Sequence, residues 1–305
     1  MAGTSGIRER AGTAFRRVAI GAAACLWAVQ AWAQQAPPAA PSYTMPATQV
    51  WDLAADSGEV YRIFVSYPAG KEAEAPEDGY PVLYVLDGNA YFASFAQARW
   101  VQEYLPVGKS IVVGVGYPTD EAWDVRRLKD FTAPLLDPPP RQWRALAQYE
   151  SGARRQFLDF LTGKLREEIG RRHRVDPDRH SLFGHSLGGL FALYALYERP
   201  GAFHSIVAAS PSMEWNAQGI LEDERAFTAR LASGQVAGRT SRLMVIVGDR
   251  DTDDDPEPAR ALVERLDRLS GHGLRVRLRR YPEEIHVSVP ARSVTDVLRF
   301  AFEIR

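Results

Sequence analysis

Ser186 stands in Gly184-His185-Ser186-Leu187-Gly188, between a short apolar run from His180 to Phe183 and a long one from Leu187 to Tyr197. At average Gly and Ser usage, a Gly-x-Ser-x-Gly word arises by chance in roughly one chain in ten of this length. The neighbours therefore decide its meaning. A strand entering a helix through this word predicts a nucleophile elbow, in which the glycines permit a sharp turn and the serine hydroxyl stands above the sheet edge. The amides opening the helix lie at its partly positive end, where a developing oxyanion is favoured. The plain alternative is a structural serine in a tight turn.

A serine hydroxyl is a poor nucleophile unless a base takes its proton and a carboxylate orients that base. In an elbow of this kind the acid and then the histidine follow the serine along the chain. Of the six histidines, His173 and His180 precede Ser186, and His185 lies within the elbow, where its side chain is expected to point away. His204 opens the next strand and His272 sits in a Ser-Gly-His-Gly turn, which leaves His286 as the base. For the acid, the run Leu243–Val247 enters Gly248-Asp249-Arg250-Asp251, and Asp251 is placed to accept an imidazole N–H. Asp249, Asp253, Asp254, Asp255 and Glu257 make this a charge run, so Glu257, or no acid at all, stays open. A second oxyanion amide is needed beside that of Leu187. Val82–Leu86 ends in Asp87-Gly88-Asn89, and the backbone N–H of Asn89 is the candidate; a simple Asp-Gly turn is the alternative.

These residues need a sheet whose strands end at one edge. Candidate strands are Val60–Tyr67, Val82–Leu86, Ser110–Val115, Ser181–Phe183, Ser205–Ala209, Leu243–Val247 and Leu274–Tyr281. Val82–Leu86, Ile111–Val115 and Leu243–Val247 are nearly continuous apolar runs, as expected of strands buried on both faces. Helical spacing recurs in Phe157/Leu161/Leu165/Ile169, in Leu262/Leu266/Leu269 and in Val294/Val297/Leu298/Ala301/Phe302. Strands alternating with helices predict an α/β fold of the α/β-hydrolase type, a mostly parallel sheet covered on both faces. The polar segment Ala69–Gly79 between the first two candidate strands fits antiparallel entry strands. Pro118–Glu150, rich in Pro and Arg with Trp123 and Trp143, has no clean period and is expected to line the substrate cleft.

The first 33 residues read as a secretory signal peptide. Arg8, Arg10, Arg16 and Arg17 precede an apolar run, Val18 to Val29, that ends in the small-x-small site Ala31-Trp32-Ala33. The run is too short for a membrane span with those flanks. Arg16-Arg17 lacks the rest of a twin-arginine pattern, and apolar residues continue well beyond Cys25, unlike a lipoprotein signal. Residues 34–46, rich in Ala and Pro, read as a flexible tether before a single domain over 47–305. Cleavage removes the only cysteine and takes 37 basic and 38 acidic residues to 33 and 37, a balance of −4. That excludes disulfides and cysteine metal sites in the mature chain and gives no sign of a nucleic-acid partner. The expected location is periplasmic or secreted, with no stable membrane insertion after cleavage.

Several words of the chain resemble the putative-esterase branch of the α/β-hydrolases, especially its exported esterases of enterobactin- and salmochelin-type siderophores. They are the segment from Tyr80 to Asn89, Arg126-Arg127-Leu128-Lys129-Asp130-Phe131-Thr132, the elbow continued to Tyr194, Ala209-Ser210-Pro211-Ser212-Met213-Glu214-Trp215, and Glu284-x-His286. The resemblance runs from about Gln49 to the end of the chain. It implies a serine esterase that needs no metal or cofactor and acts on a small-molecule ester, with a catecholate trilactone or its ferric complex favoured. Feruloyl-type and other small esters remain open, as does a non-catalytic binding protein on the same scaffold. It also implies that the acid is missing or displaced in some members. An anionic, aromatic substrate would be met by arginines beside aromatic faces. Arg99, Trp123, Arg126, Arg127 and Trp215 are the candidates, against the alternative of buried tryptophans and surface arginines.

Overall fold

The apolar runs that read as doubly buried strands form the middle of one sheet. The computed structural model describes residues 43–71, 74–136, 139, 141–236, 242–252 and 255–303. The strands are β1 (Thr48–Ala54), β2 (Val60–Ser66), β3 (Tyr80–Leu86), β4 (Ile111–Gly116), β5 (Val175–His185), β6 (Ser205–Ala209), β7 (Arg242–Gly248) and β8 (Arg275–Tyr281). They lie in the order β1-β2-β4-β3-β5-β6-β7-β8. β3 through β8 pair in parallel, while β1 and β2 run antiparallel to their neighbours. Every residue of β3 and of β4 is buried, as strands covered on both faces must be.

The helices are α1 (Gly88–Trp100), α2 (Arg127–Phe131), α3 (Arg154–Thr162), α4 (Lys164–Arg172), α5 (Leu187–Glu198), α6 (Ala217–Ala232), α7 (Pro256–Asp267) and α8 (Val289–Phe302). Strand alternation divides the core between them. Val82, Tyr84 and Leu86 pack with residues of α3, α4, α5, α6 and α7. Leu83 and Val85 face the other way, against Phe92 and Phe95 of α1 and Val297 and Leu298 of α8. The α5 helix is apolar on all sides and buried from Leu187 to Tyr197, so the elbow that starts it is anchored in the core.

Four differences from the sequence reading have physical causes. β1 has no apolar run to announce it: it is a sheet edge with exposed and half-buried residues. β2 pairs with β4 and not with β3, because β4 inserts between them. β5 begins at Val175, six residues before the expected Ser181, through a register irregularity opposite Tyr80–Val82. Within Pro118–Glu150, Leu128 and Phe131 of α2 are buried, so part of that segment is ordered by the core. The expected leader and most of the tether lie outside the described residues. Among the described residues, no helix is long and apolar enough to cross a membrane.

Candidate active site

Three neighbouring strands end in left-handed backbone at one edge of the sheet. Asp87 after β3 has φ 52°, Ser186 after β5 has φ 59°, and Ser210 after β6 has φ 36°. Such strain in non-glycine residues persists only where the surroundings enforce it, and it gathers at functional sites. Here a Cβ at Gly184 would overlap the Gly188 carbonyl, so only glycine permits the turn that lifts Ser186. The Ser186 amide donates to the Ala209 carbonyl (3.0 Å), and the Ser212 amide donates to the Ser186 carbonyl (3.2 Å). The Ser186 hydroxyl lies 3.1 Å from that of Ser212, a contact in which either can donate.

β3 and β5 are adjacent, so the helices that follow them begin side by side at this edge. The first-turn amides of a helix have no intrahelical acceptor, which leaves those of Leu187 on α5 and Asn89 on α1 available in kind. The Asn89 side chain is fully committed elsewhere. Its Nδ2 donates to the carbonyls of Tyr117 (3.0 Å) and Thr119 (2.9 Å), and its Oδ1 accepts from the Tyr117 amide (2.8 Å). Asp87, itself buried, receives both prongs of Arg127 at 2.8 and 2.9 Å. The segment after β4 is thereby fastened to the turn that opens α1.

The loops after β7 and β8 are joined in the same manner. The amides of Asp249 and Arg250 donate to the carbonyls of Tyr281 and Glu284, each at 3.1 Å. A Cβ at Gly248 would overlap the Glu284 carbonyl, so this approach requires glycine. It brings the Asp251 Oδ2 to 2.9 Å from the His286 Nδ1, with both side chains largely buried. A carboxylate can only accept, so Nδ1 carries the proton and Nε2 is the basic nitrogen. Glu257, in the first turn of α7, instead pairs with Arg260 and is mostly exposed.

Sequence reasoning passed over three groups here. Tyr91 and His185 are bonded through the Tyr91 hydroxyl and His185 Nδ1 (2.8 Å), and His185 Nε2 lies 2.9 Å from the His286 carbonyl. The His185 ring is 4.6 Å from that of His286, so its side chain turns toward His286 instead of away. Burial pushes the His185 imidazole down to about 3, with the nearby His286 and Arg127 adding to the shift. Ser212 is the third. It stands in one of the words that carry the resemblance, just after β6 at the edge where Ser186 emerges, but no role was assigned to it.

The five arginines and tryptophans expected around a substrate separate sharply. Arg99 is buried at the opposite edge of the sheet, donating to Ser66 Oγ (2.8 Å) and to the carbonyls of Gly108 (3.0 Å) and Tyr67 (3.1 Å). Trp215 is buried, with its Nε1 donating to the Ala133 carbonyl (3.2 Å) and its ring against Trp143. Arg126 lies over the rings of Tyr61 and Tyr117 and pairs with Glu59 and Asp130. Arg127 is consumed by Asp87 and lies over Trp123, 5.2 Å from its ring. Trp123 alone is well exposed, at 48%, and meets Tyr91 edge to face at 5.4 Å. Arg99 and Trp215 thus face protein, because each has polar atoms that the interior satisfies.

The Esterase family, described as "Putative esterase", matches residues 55–273, a span that holds Ser186 and Asp251 and stops before His286. The ferri-bacillibactin esterase of Bacillus subtilis is 33% identical over 274 residues, covering 85% of this chain and 91% of its own. The BES protein from Bacillus cereus superposes with a TM-score of 0.76 at 31% identity, covering 88% of this chain and 99% of its own. The siderophore hydrolase EstB from Aspergillus nidulans superposes with a TM-score of 0.67 at 29% identity, covering 86% of this chain and 97% of its own. The chain belongs to the Putative esterase family, carboxylic ester hydrolases of the α/β-hydrolase fold.

Proposed function

We propose that the protein is an exported serine esterase that opens ester bonds of a siderophore, with a catecholate trilactone or its ferric complex as substrate. The observation that carries the mechanism is the Asp251–His286 bond on loops beside the strained Ser186 turn. Ser186 Oγ attacks the ester carbonyl carbon while His286 Nε2 takes its proton. The C=O electron pair moves to oxygen, and the amides of Leu187 and Asn89 donate to that oxyanion. Collapse of the intermediate expels the alcohol, which receives the proton from His286. Water, deprotonated by His286, then cleaves the acyl-enzyme and frees Ser186. Asp251 keeps Nδ1 protonated and stabilises the imidazolium.

The substrate class is supported by the relatives, whose names give ferri-bacillibactin and siderophores as what they act on. Within the chain, Trp123 offers an exposed aromatic face backed by the Arg127 guanidinium, suited to stacking against a catechol ring. Export rests on the arginine-flanked apolar leader ending in Ala31-Trp32-Ala33. Steady-state hydrolysis of iron-loaded and iron-free enterobactin, beside feruloyl and p-nitrophenyl esters, tests the substrate. The siderophore is expected to have the highest kcat/KM, and a higher value for a feruloyl ester would reassign it. Ser186→Ala is expected to lower kcat on the order of 10⁴–10⁶-fold, and full turnover in that variant would overturn the mechanism.

A further inference from the structure

We propose that His185, inside the elbow, is a positioning residue that holds the proposed base in register with the nucleophile through the His286 main-chain carbonyl. This rests on the esterase reading above. The protonation pattern follows from the partners. The His286 carbonyl can only accept, so His185 Nε2 carries hydrogen across the 2.9 Å contact. In the neutral ring, Nδ1 is then an acceptor, so the Tyr91 hydroxyl donates to it across 2.8 Å. Burial holds the Tyr91 phenol above its ordinary value, which keeps this donor protonated. A directed chain results: Tyr91 O–H to His185 Nδ1, and His185 Nε2–H to the His286 C=O.

The His286 loop has reason to need this anchor. Ile285 and Val287, on either side of the base, are 46% and 65% exposed, so apolar packing does little to hold the segment. Asp251 grips the ring at Nδ1, and the main chain on either side is held at the Glu284 carbonyl by the Arg250 amide and at the Ile285 carbonyl by the Ser288 and Val289 amides. His185 grips the main chain at His286 itself, from the residue directly before Ser186. One residue thus spans nucleophile and base, and a misplacement of about 1 Å between such groups costs roughly 100-fold in rate. Its neutrality matters as well: His286 becomes a cation in each half-reaction, and a charged ring 4.6 Å away would oppose that.

The test uses the full-length mature enzyme and p-nitrophenyl acetate, with His185→Leu, His185→Gln and Ser186→Ala measured together. Gln can keep an N–H donor at the position of Nε2, whereas Leu cannot. We expect Leu to lower kcat by about 10- to 100-fold with KM within about twofold, and Gln to recover most of the loss. Equal rates for Leu and Gln at equal folded fraction would overturn the positioning role. Should the Leu variant fail to fold, ¹⁵N NMR of the wild-type histidines decides. His185 is expected to remain the neutral Nε2–H tautomer from pH 8 to 5, and the opposite tautomer or titration in that range would overturn the proposal. If Ser186→Ala retains turnover, the esterase reading fails. If it is inactive while Leu matches wild type, only the positioning role fails.

Discussion

Strand β5 carries two buried histidines, and each is bonded to a tyrosine. His180 Nδ1 lies 3.2 Å from the Tyr84 hydroxyl, and His185 Nδ1 lies 2.8 Å from that of Tyr91. Burial pushes both rings down to about 3. Five residues apart on a strand, the two point to opposite faces of the sheet. His180 stacks on Tyr84, which meets Phe203 edge to face within the core. His185 lies at the carboxyl edge and reaches His286. Residue type, burial, tyrosine partner and titration are alike in the two cases. What separates them is the acceptor held by the second nitrogen of His185, and that depends on where along the strand each residue falls.

The largest effect is expected at the other anchor of His286. Asp251→Asn is expected to lower kcat on the order of 10²–10⁴-fold with little change in thermal stability, because the amide can stabilise the wrong imidazole tautomer. Glu257→Gln should stay within about twofold. Equal, small losses in both would mean that the base works from the His185 side alone. Next comes Gly248→Ala, whose methyl would push the Glu284 carbonyl and its loop away from Asp251. A drop of about 10-fold or more in kcat is expected from this displacement, while an unchanged rate would show that the loop tolerates the shift.

In stability against pH, unlike in turnover, the two histidines are expected to act alike. Each histidine has a folded pKa near 3 and an unfolded value near 6.5, so its stabilising contribution is full above pH 6.5 and is lost as pH falls toward 3. At pH 5 the loss is about 2 kcal/mol for each ring. His180→Gln should remove that increment from the difference between denaturation at pH 7 and at pH 5, without altering kcat. A fall in kcat at constant folded fraction would make the two histidines functionally alike. Asp130 acts oppositely. Burial first, offset by Arg126, leaves its carboxyl raised to about 6, so its destabilising effect at pH 7 eases as pH falls toward 4. The smallest expected effect is in the tyrosines. Tyr91→Phe should slow turnover about threefold, and Tyr84→Phe should cost about 1 kcal/mol of stability with the rate unchanged.

How much of this was legible in the sequence follows the same division. Ser186 and His286 are marked by strand ends and chain order, whereas the charge run after β7 left Asp251, Glu257 or no acid open, and the structure sets the Asp251 carboxylate against His286. The central strands were legible because burial on both faces demands continuous apolar runs. β1 was not, since an edge strand needs none. The surroundings of the arginines were not legible, for a related reason. A guanidinium beside a tryptophan looks the same in sequence whether it faces a ligand or an Asp87 forty residues away. His185 is set aside as a base because a side chain inside the elbow is expected to point away, yet its bond to His286 spans 101 residues that no local pattern connects.

The most direct test of the central claim is to trap the covalent intermediate. The protein, mixed with excess ester substrate and quenched in acid within milliseconds, is digested and its peptides are weighed. An acyl increment on the peptide containing Ser186, absent in Ser186→Ala and decaying at the rate of turnover, is the predicted result. Turnover with no acylated Ser186 peptide, or with the increment on another residue, would contradict the account.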